Sequence, residues 1–243
     1  MKESKMRTVL EPEPAPLAIM GRFFPFDDSG IMFSGTVLVI KEMQNHTNEI
    51  DGGTGLNVWD GSLLLARYLE MRPELVRNKS VLELGSGCGL VGISSGIIGA
   101  YEVIMTDLRY ALPLMQENVK RNESSWRRNI HGCKTIQCKE CDWFRPPPIS
   151  ELFGNNNVPD VILIADCVWI APLIAPLLRT LEKYVHDATT VIITYQQRGK
   201  DAHDEFWEGI HNLFDVVNVD TEMTVGLAKP DVFHVLECKK RIT

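Results

Sequence analysis

From Lys79 onward, short apolar runs alternate with stretches of helical periodicity, the pattern of parallel strands joined by crossover helices. The segments Ser80 to Leu84, Glu102 to Thr106, Thr135 to Glu140, Val161 to Ala165 and Thr190 to Thr194 read as strands. The helix after the first of these carries Leu90, Ile93, Ile97 and Ile98 on one side, with Gly92, Gly96 and Gly99 among its small positions, so it can pack closely on a sheet. Leu177, Leu178, Leu181, Tyr184 and Val185 keep helical spacing after Pro172 and Pro176. Two further strands, Asp215 to Asp220 and Val232 to Cys238, are separated by a turn-like segment without room for a crossover helix, so that pair must be antiparallel. Upstream, Met32 to Ile40 is a β-rich strand or hairpin arm, and Leu63, Leu64, Ala66, Tyr68 and Leu69 make a helix that Pro73 helps to end. The expectation is an α/β doubly wound sheet of seven strands, five parallel plus a closing antiparallel hairpin, with an N-terminal β arm.

At 243 residues the chain suits one sizeable core. We expect a single domain over 17–243 with an arm at 17–58, preceded by a flexible tail at 1–16 that holds the run Glu11-Pro-Glu-Pro-Ala-Pro16. An apolar fraction of 44% and a charged fraction of 23% are those of an ordinary globular protein. A formal charge of -7 argues against reliance on phosphate-backbone attraction, and Arg127-Arg128 is too short to reverse that. No stretch approaches the roughly 20 apolar residues that cross a bilayer, and the N-terminus has no apolar signal segment, so a cytoplasmic or nuclear home is expected. Cys88, Cys133, Cys138, Cys141, Cys167 and Cys238 are scattered and read as reduced thiols.

The strongest local signal is Val81-Leu-Glu-Leu-Gly-Ser-Gly-Cys-Gly89, a strand running into a glycine turn and then a helix. Gly85, Gly87 and Gly89 clear side chains where backbone must turn and approach a ligand, with Ser86 between them. A dinucleotide fingerprint would need glycine at position 90, which is Leu90, and Glu83 would repel a pyrophosphate. A cationic, phosphate-free adenosyl ligand such as S-adenosylmethionine would instead welcome that carboxylate. Asp107 ends the second strand 24 residues after Glu83, near the spacing of about 20 for a carboxylate that accepts from ribose hydroxyls. The bland alternative is that Glu83 and Asp107 cap helices and the glycines only make a turn. The whole pattern is Rossmann-like.

With Trp59, the glycine turn, Asp107, Asp142-Trp143 and Ala165-Asp-Cys-Val-Trp169, the chain resembles the seven-β-strand, methyltransferase-like protein-lysine methyltransferases from about Phe33 to Arg241. The resemblance implies S-adenosylmethionine as cofactor, held by Trp59, Glu83, Gly85, Ser86, Gly87, Asp107, Trp143 and Ala165. It places Trp143 beside the adenine ring and lets Ala165 face the cofactor through its backbone. It implies a catalytic pair of Asp166 and Trp169, where family members carry an acid followed by an aromatic that is usually tyrosine. Trp169 keeps the aromatic and loses the phenol, so it can attract an ammonium with its face but cannot accept a hydrogen bond. The implied acceptor is a lysine of a non-histone protein, such as a translation factor or chaperone, and a monomer suffices. Methyltransferases of nucleic-acid bases have two prolines where Cys167 and Val168 stand here, which with the acidic charge demotes a nucleic-acid acceptor. A same-fold enzyme acting on a small molecule or RNA, and a non-catalytic interaction protein, are the alternatives. Read without the resemblance, Trp59, Trp143 and Trp169 fit core positions and Asp166 fits a helix cap.

Other signals count for less. Cys138-Lys-Glu-Cys141, with His131 and Cys133, has a metal-knuckle gap, but no second pair follows and strand residues face alternate sides, so no metal is expected. Tyr195-Gln-Gln-Arg198 either lines the acceptor entrance or only finishes a strand.

Overall fold

The structure, a computed structural model, describes residues 26, 29–43, 54–128, 132–154, 158–220 and 233–241. The expected tail at 1–16, the first part of the arm and His131 lie outside these residues. The strands are β1 (Ile31–Phe33), β2 (Thr36–Leu38), β3 (Ser80–Leu84), β4 (Glu102–Asp107), β5 (Thr135–Glu140), β6 (Val161–Ala165), β7 (Thr190–Gln196), β8 (Phe214–Asn218) and β9 (Phe233–Lys240). The helices are α1 (Asp60–Met71), α2 (Leu90–Ile98), α3 (Leu112–Arg121), α4 (Glu123–Trp126), α5 (Ile149–Phe153), α6 (Ala171–Tyr184) and α7 (Lys200–Leu213).

Seven strands form one sheet in the order β5-β4-β3-β6-β7-β9-β8. The five from β5 to β7 are parallel, and β9 pairs antiparallel with both β7 and β8. The expected antiparallel pair is therefore present, but β8 itself runs with the parallel set and only β9 is reversed. The reason is the crossover helix α7, which returns the chain to the starting end of the sheet one position too far out. Strand β9 then fills the gap between β7 and β8.

Side chains alternate between the two faces with the two-residue period of extended chain. Val81, Val103, Met105, Val161 and Leu163 enter one apolar cluster with α1, α2 and α3, whereas Leu82, Leu84, Ile104, Ile162 and Ile164 enter the other with α6 and α7. Both faces are covered, which is why these strands read as continuous apolar runs. Helix α6 starts earlier than its spacing suggested, at Ala171. Pro172 occupies the first turn, where a missing N–H costs nothing, and Pro176 sits inside the helix at the loss of one backbone bond. No helix among the described residues is long and apolar enough to cross a membrane.

The arm segment Met32 to Ile40 is not one strand but the hairpin of β1 and β2, with Ser34 and Gly35 both at positive φ in a two-residue turn. Beyond β2 the chain stays extended with a pair of asparagines as its partner. Asn122 Oδ1 accepts from the Val39 N–H at 3.0 Å while its Nδ2 donates to Val39 O at 2.7 Å. One turn earlier, Asn118 Oδ1 accepts from the Lys41 N–H at 2.9 Å and its Nδ2 donates to Lys41 O at 3.0 Å. Side chains four apart share a helix face, and residues two apart share a strand edge, so the two periods match here. Asn118 Nδ2 also donates to Cys88 O at 2.9 Å, tying the arm to the glycine turn. Asn118→Leu leaves these buried backbone groups unpaired, and unfolding in denaturant should show a loss of about 2–4 kcal/mol. At the exposed Val37, substitution by Thr should stay within about 0.5 kcal/mol.

Candidate active site

Strand order reverses between β3 and β6, since the chain leaves β3 for β4 on one side and later returns to β6 on the other. A cavity opens there at the carboxyl ends of the strands, where open α/β sheets place their ligands. It brings together Trp59, Gly85, Ser86, Gly87, Asp107 and Trp143, and with them Ala165, Asp166 and Trp169. Glu83 is not in its wall.

The glycine turn forms the floor. Gly85 and Gly87 have φ of 69° and 53°, the left-handed region that only glycine enters without strain. A Cβ on Gly85 would lie 2.6 Å from Cys167 Sγ and 3.0 Å from the Trp143 ring, and one on Gly87 would lie 2.9 Å from Gly55 O. The turn is therefore closed to any side chain. Ser86 ties it to β4, donating its N–H to Thr106 O at 2.9 Å while its Oγ accepts the Thr106 N–H at 3.1 Å. Asp107 Oδ2 accepts the Gly87 N–H at 2.8 Å and Oδ1 accepts its neighbour Leu108 N–H at 2.7 Å. Burial raises the Asp107 carboxyl above its usual range, and those two amides oppose the rise. Asp107 does not cap α3, whose N-cap is Ala111 without a side-chain bond.

Glu83 departs from the expectation that its carboxylate faces the ligand. It points beneath the turn, where a Cβ on Gly92 would come within 2.7 Å of its Oε2. The side chain is buried and Oε2 makes no hydrogen bond. Burial pushes its carboxyl up to about 8, against the pull of the Ser86 hydroxyl and the Gly92 amide. The alternation that sends Leu82 and Leu84 to one face sends Glu83 to the other, under α2.

At the end of β6, Asp166 adopts a φ of 54°, unusual for a residue with a side chain. The turn directs its carboxylate at the first turn of α1 and the end of β7. Oδ2 accepts the Gly61 N–H at 2.7 Å and contacts Arg198 Nη2 at 3.3 Å, and Oδ1 accepts the Gln196 N–H at 2.8 Å. Thr194 Oγ1 donates to Gly61 O at 2.7 Å, and the Asp166 N–H donates to Thr194 O at 2.7 Å. Three elements are thus joined at one carboxylate. Asp166 does not cap α6, whose N-cap is Ile170 without a side-chain bond. Trp169 stands at the mouth, 38% exposed, with Phe144 at 60% on the same rim, so neither is a core aromatic.

The charge of the wall is one-sided. Asp107, Asp142 and Asp166 contribute carboxylates, and the described lining residues include no lysine or arginine. Such a wall fits a cationic ligand and repels phosphates.

Residues 39–212 match the model of a family described as lysine methyltransferase. The protein N-lysine methyltransferase METTL21A of Danio rerio is 32% identical over 167 residues, covering 69% of this chain and 72% of that one. The protein-lysine N-methyltransferase EFM6 of Saccharomyces cerevisiae is 29% identical over 192 residues, covering 70% and 74%. The chain belongs to the lysine methyltransferase family. Its methyl donor is S-adenosylmethionine. The fold agrees: a ribosomal protein L11 methylase from Lactobacillus delbrueckii superposes with a TM-score of 0.50 at 16% identity over 75% of this chain and 80% of that one. A TehB-like SAM-dependent methyltransferase from Corynebacterium glutamicum superposes with a TM-score of 0.52 at 14% identity, covering 73% and 88%.

In this lysine methyltransferase, some site residues carried little or no sequence signal. Gly61 lies inside a helical pattern, yet a Cβ there would sit 2.6 Å from Asp166 Cγ. Thr194 looks like any strand threonine. Tyr195-Gln-Gln-Arg198 divides: β7 continues through Gln196, whereas Arg198 lies beyond the strand against Asp166 and Trp59. Tyr110 belongs to no motif either, and its hydroxyl accepts the Gly55 N–H at 3.2 Å, holding that segment over the glycine turn. Of the cysteine knuckle, Cys133 donates to Thr135 O and Cys141 pairs with the Tyr184 hydroxyl.

Glu83 gives a pH test. Its carboxyl ionises near 4.5 in the unfolded chain and at about 8 when folded. The folded state therefore holds a proton that the unfolded state has released, so its contribution is fully present below about 4.5 and is lost as pH rises through about 8. Thermal unfolding of Glu83→Gln from pH 5 to 8.5 should show a flatter decline than the parent chain, and parallel curves would refute this assignment.

Proposed function

We propose that this chain methylates a lysine side chain of a non-histone protein, with a translation factor or chaperone as the acceptor class that the family resemblance implies. The observation that carries the reading is the cation-attracting wall of Asp107, Asp142 and Asp166 with no basic residue among its described lining. A sulfonium donor and a lysine ammonium are both cations, whereas an RNA acceptor would bring phosphates to the same mouth.

When bound, S-adenosylmethionine supplies a methyl group already activated by its sulfonium, so alignment and exclusion of water carry most of the catalysis. Gly85, Ser86 and Gly87 would hold the donor through backbone, with Ala165 adding a backbone contact. Asp107 would accept from its ribose hydroxyls with the lone pairs that Gly87 and Leu108 leave open. Trp143 would offer its ring to the adenine and Trp59 would wall the other side of the cavity. Glu83 acts from behind the turn as support.

Trp169 draws the lysine ammonium with its ring face, and the apolar walls of Trp59, Val58 and Leu173 disfavour the charged form of an amine whose free pKa is near about 10.4, so that its proton passes to solvent at the mouth before the nitrogen lone pair attacks. Asp166 orients the amine and does not strip its proton, because its two oxygens are held by Gly61, Gln196 and Arg198. The six cysteines are all free, which supports a reducing compartment, the cytoplasm and also the nucleus.

Incubation with labelled donor and cell lysate should label protein bands that protease removes, and label lost to nuclease would overturn the acceptor class. In the same assay Asp166→Ala should lose about 100-fold or more in turnover, as misplacement of reacting groups does. Its donor affinity by calorimetry should change far less than that of Asp107→Ala or Gly85→Arg. Equal affinity loss in all three variants would remove this division of roles.

A further inference from the structure

Arg198 stands just past β7 and touches both sides of the site without entering it. Its guanidinium carbon lies 4.5 Å from the Trp59 ring centroid, and its Nη2 lies 3.3 Å from Asp166 Oδ2. The side chain is only 18% exposed and Asp166 only 2%, so solvent screens this contact weakly. Trp59 and Asp166 both line the cavity, and Arg198 does not. It sits behind them.

We propose that Arg198 is a positioning residue whose planar guanidinium, held between the Trp59 face and the Asp166 carboxylate, sets the donor wall at a fixed distance from the acid at the end of β6. An arginine suits this place because one flat, delocalised cation can stack on an indole and offer an N–H edge to a carboxylate at once, which a lysine point charge cannot do equally well. Without it, the Trp59 ring loses its backing and Asp166 loses its nearest counter-charge.

The second loss has a titration signature. Burial raises the Asp166 carboxyl, Arg198 and the amides of Gln196 and Gly61 pull it down, and Asp60 on α1 pushes it up. The adjacent Cys167 thiol is itself raised by burial and stays neutral. Arg198 is thus the cation that opposes the burial, and its removal raises the Asp166 carboxyl further. Asp166 orients the acceptor amine as a carboxylate, so the acid side of the turnover profile moves to higher pH in Arg198→Ala.

Calorimetric titration of S-adenosylmethionine, and turnover against cell lysate from pH 5 to 9, test this with folding checked by thermal unfolding. Arg198→Ala should bind donor about tenfold more weakly, and the Arg198→Ala/Trp59→Ala double variant should bind no more weakly than Trp59→Ala alone. Arg198→Lys should restore the parent pH profile while recovering only part of the affinity. If the alanine variant does not fold, Arg198→Gln replaces it, keeping a planar group without charge and therefore shifting the acid side. Unchanged affinity and pH profile, or losses that multiply in the double variant, would overturn the role of Arg198. The inference rests on placing the donor in this cavity: failure of the parent chain to bind S-adenosylmethionine defeats that placement, whereas normal parent binding with an indifferent Arg198 defeats only the strut.

Discussion

The carboxylate of Asp166 is the point on which the site depends. A buried carboxylate is expensive to desolvate, and it persists here because two amides and a guanidinium converge on it. Each donor comes from a different place: the first turn of α1, the last residue of β7 and the segment beyond it. The backbone of Asp166 enters the left-handed region to aim the side chain at them. One group thus couples the helix that follows Trp59 to two strand ends, and the cavity lies over that junction.

The same logic of donors around acids organises the glycine turn. Asp107 spans from β4 to the Gly87 amide, and Ser86 reaches back to β4 with both its N–H and its hydroxyl. The turn is held from below by side chains and from above by Gly55, whose carbonyl lies where a Cβ on Gly87 would go. The result is a bare backbone surface bordered by acids. Glu83, being fully enclosed and raised to about 8, contributes little negative charge to that border at neutral pH. The field felt by a ligand comes instead from Asp107 and Asp142, with Asp166 balanced by Arg198, which leaves a wall for cations.

Most of the sheet was legible in the chain. Strands β3, β5 and β6 fall on the residues expected of them, most plainly β6, where burial on both faces leaves no polar position. The glycine turn was legible for a related reason, since its three glycines follow a strand and precede a helix. Less legible were features that need two distant segments: the reversal of β9 alone, the asparagine pair of Asn118 and Asn122 that holds the arm, and the early start of α6 over two prolines. Periodicity reports which way a side chain faces along its own element. It is silent about which neighbour occupies the next place in the sheet.

By itself, the sequence determined the α/β class, the run of strands and helices, the glycine turn with its acid at Asp107, and the family. These depend on local spacing and on residue types that have few other uses in such order. Only the tertiary structure decided that Glu83 turns away beneath α2, that Gly61 leaves room for a carboxylate 105 positions away, and that Arg198 backs both Trp59 and Asp166. Those roles arise where chain ends converge at a strand-order reversal, and contact across such distances leaves no period to read.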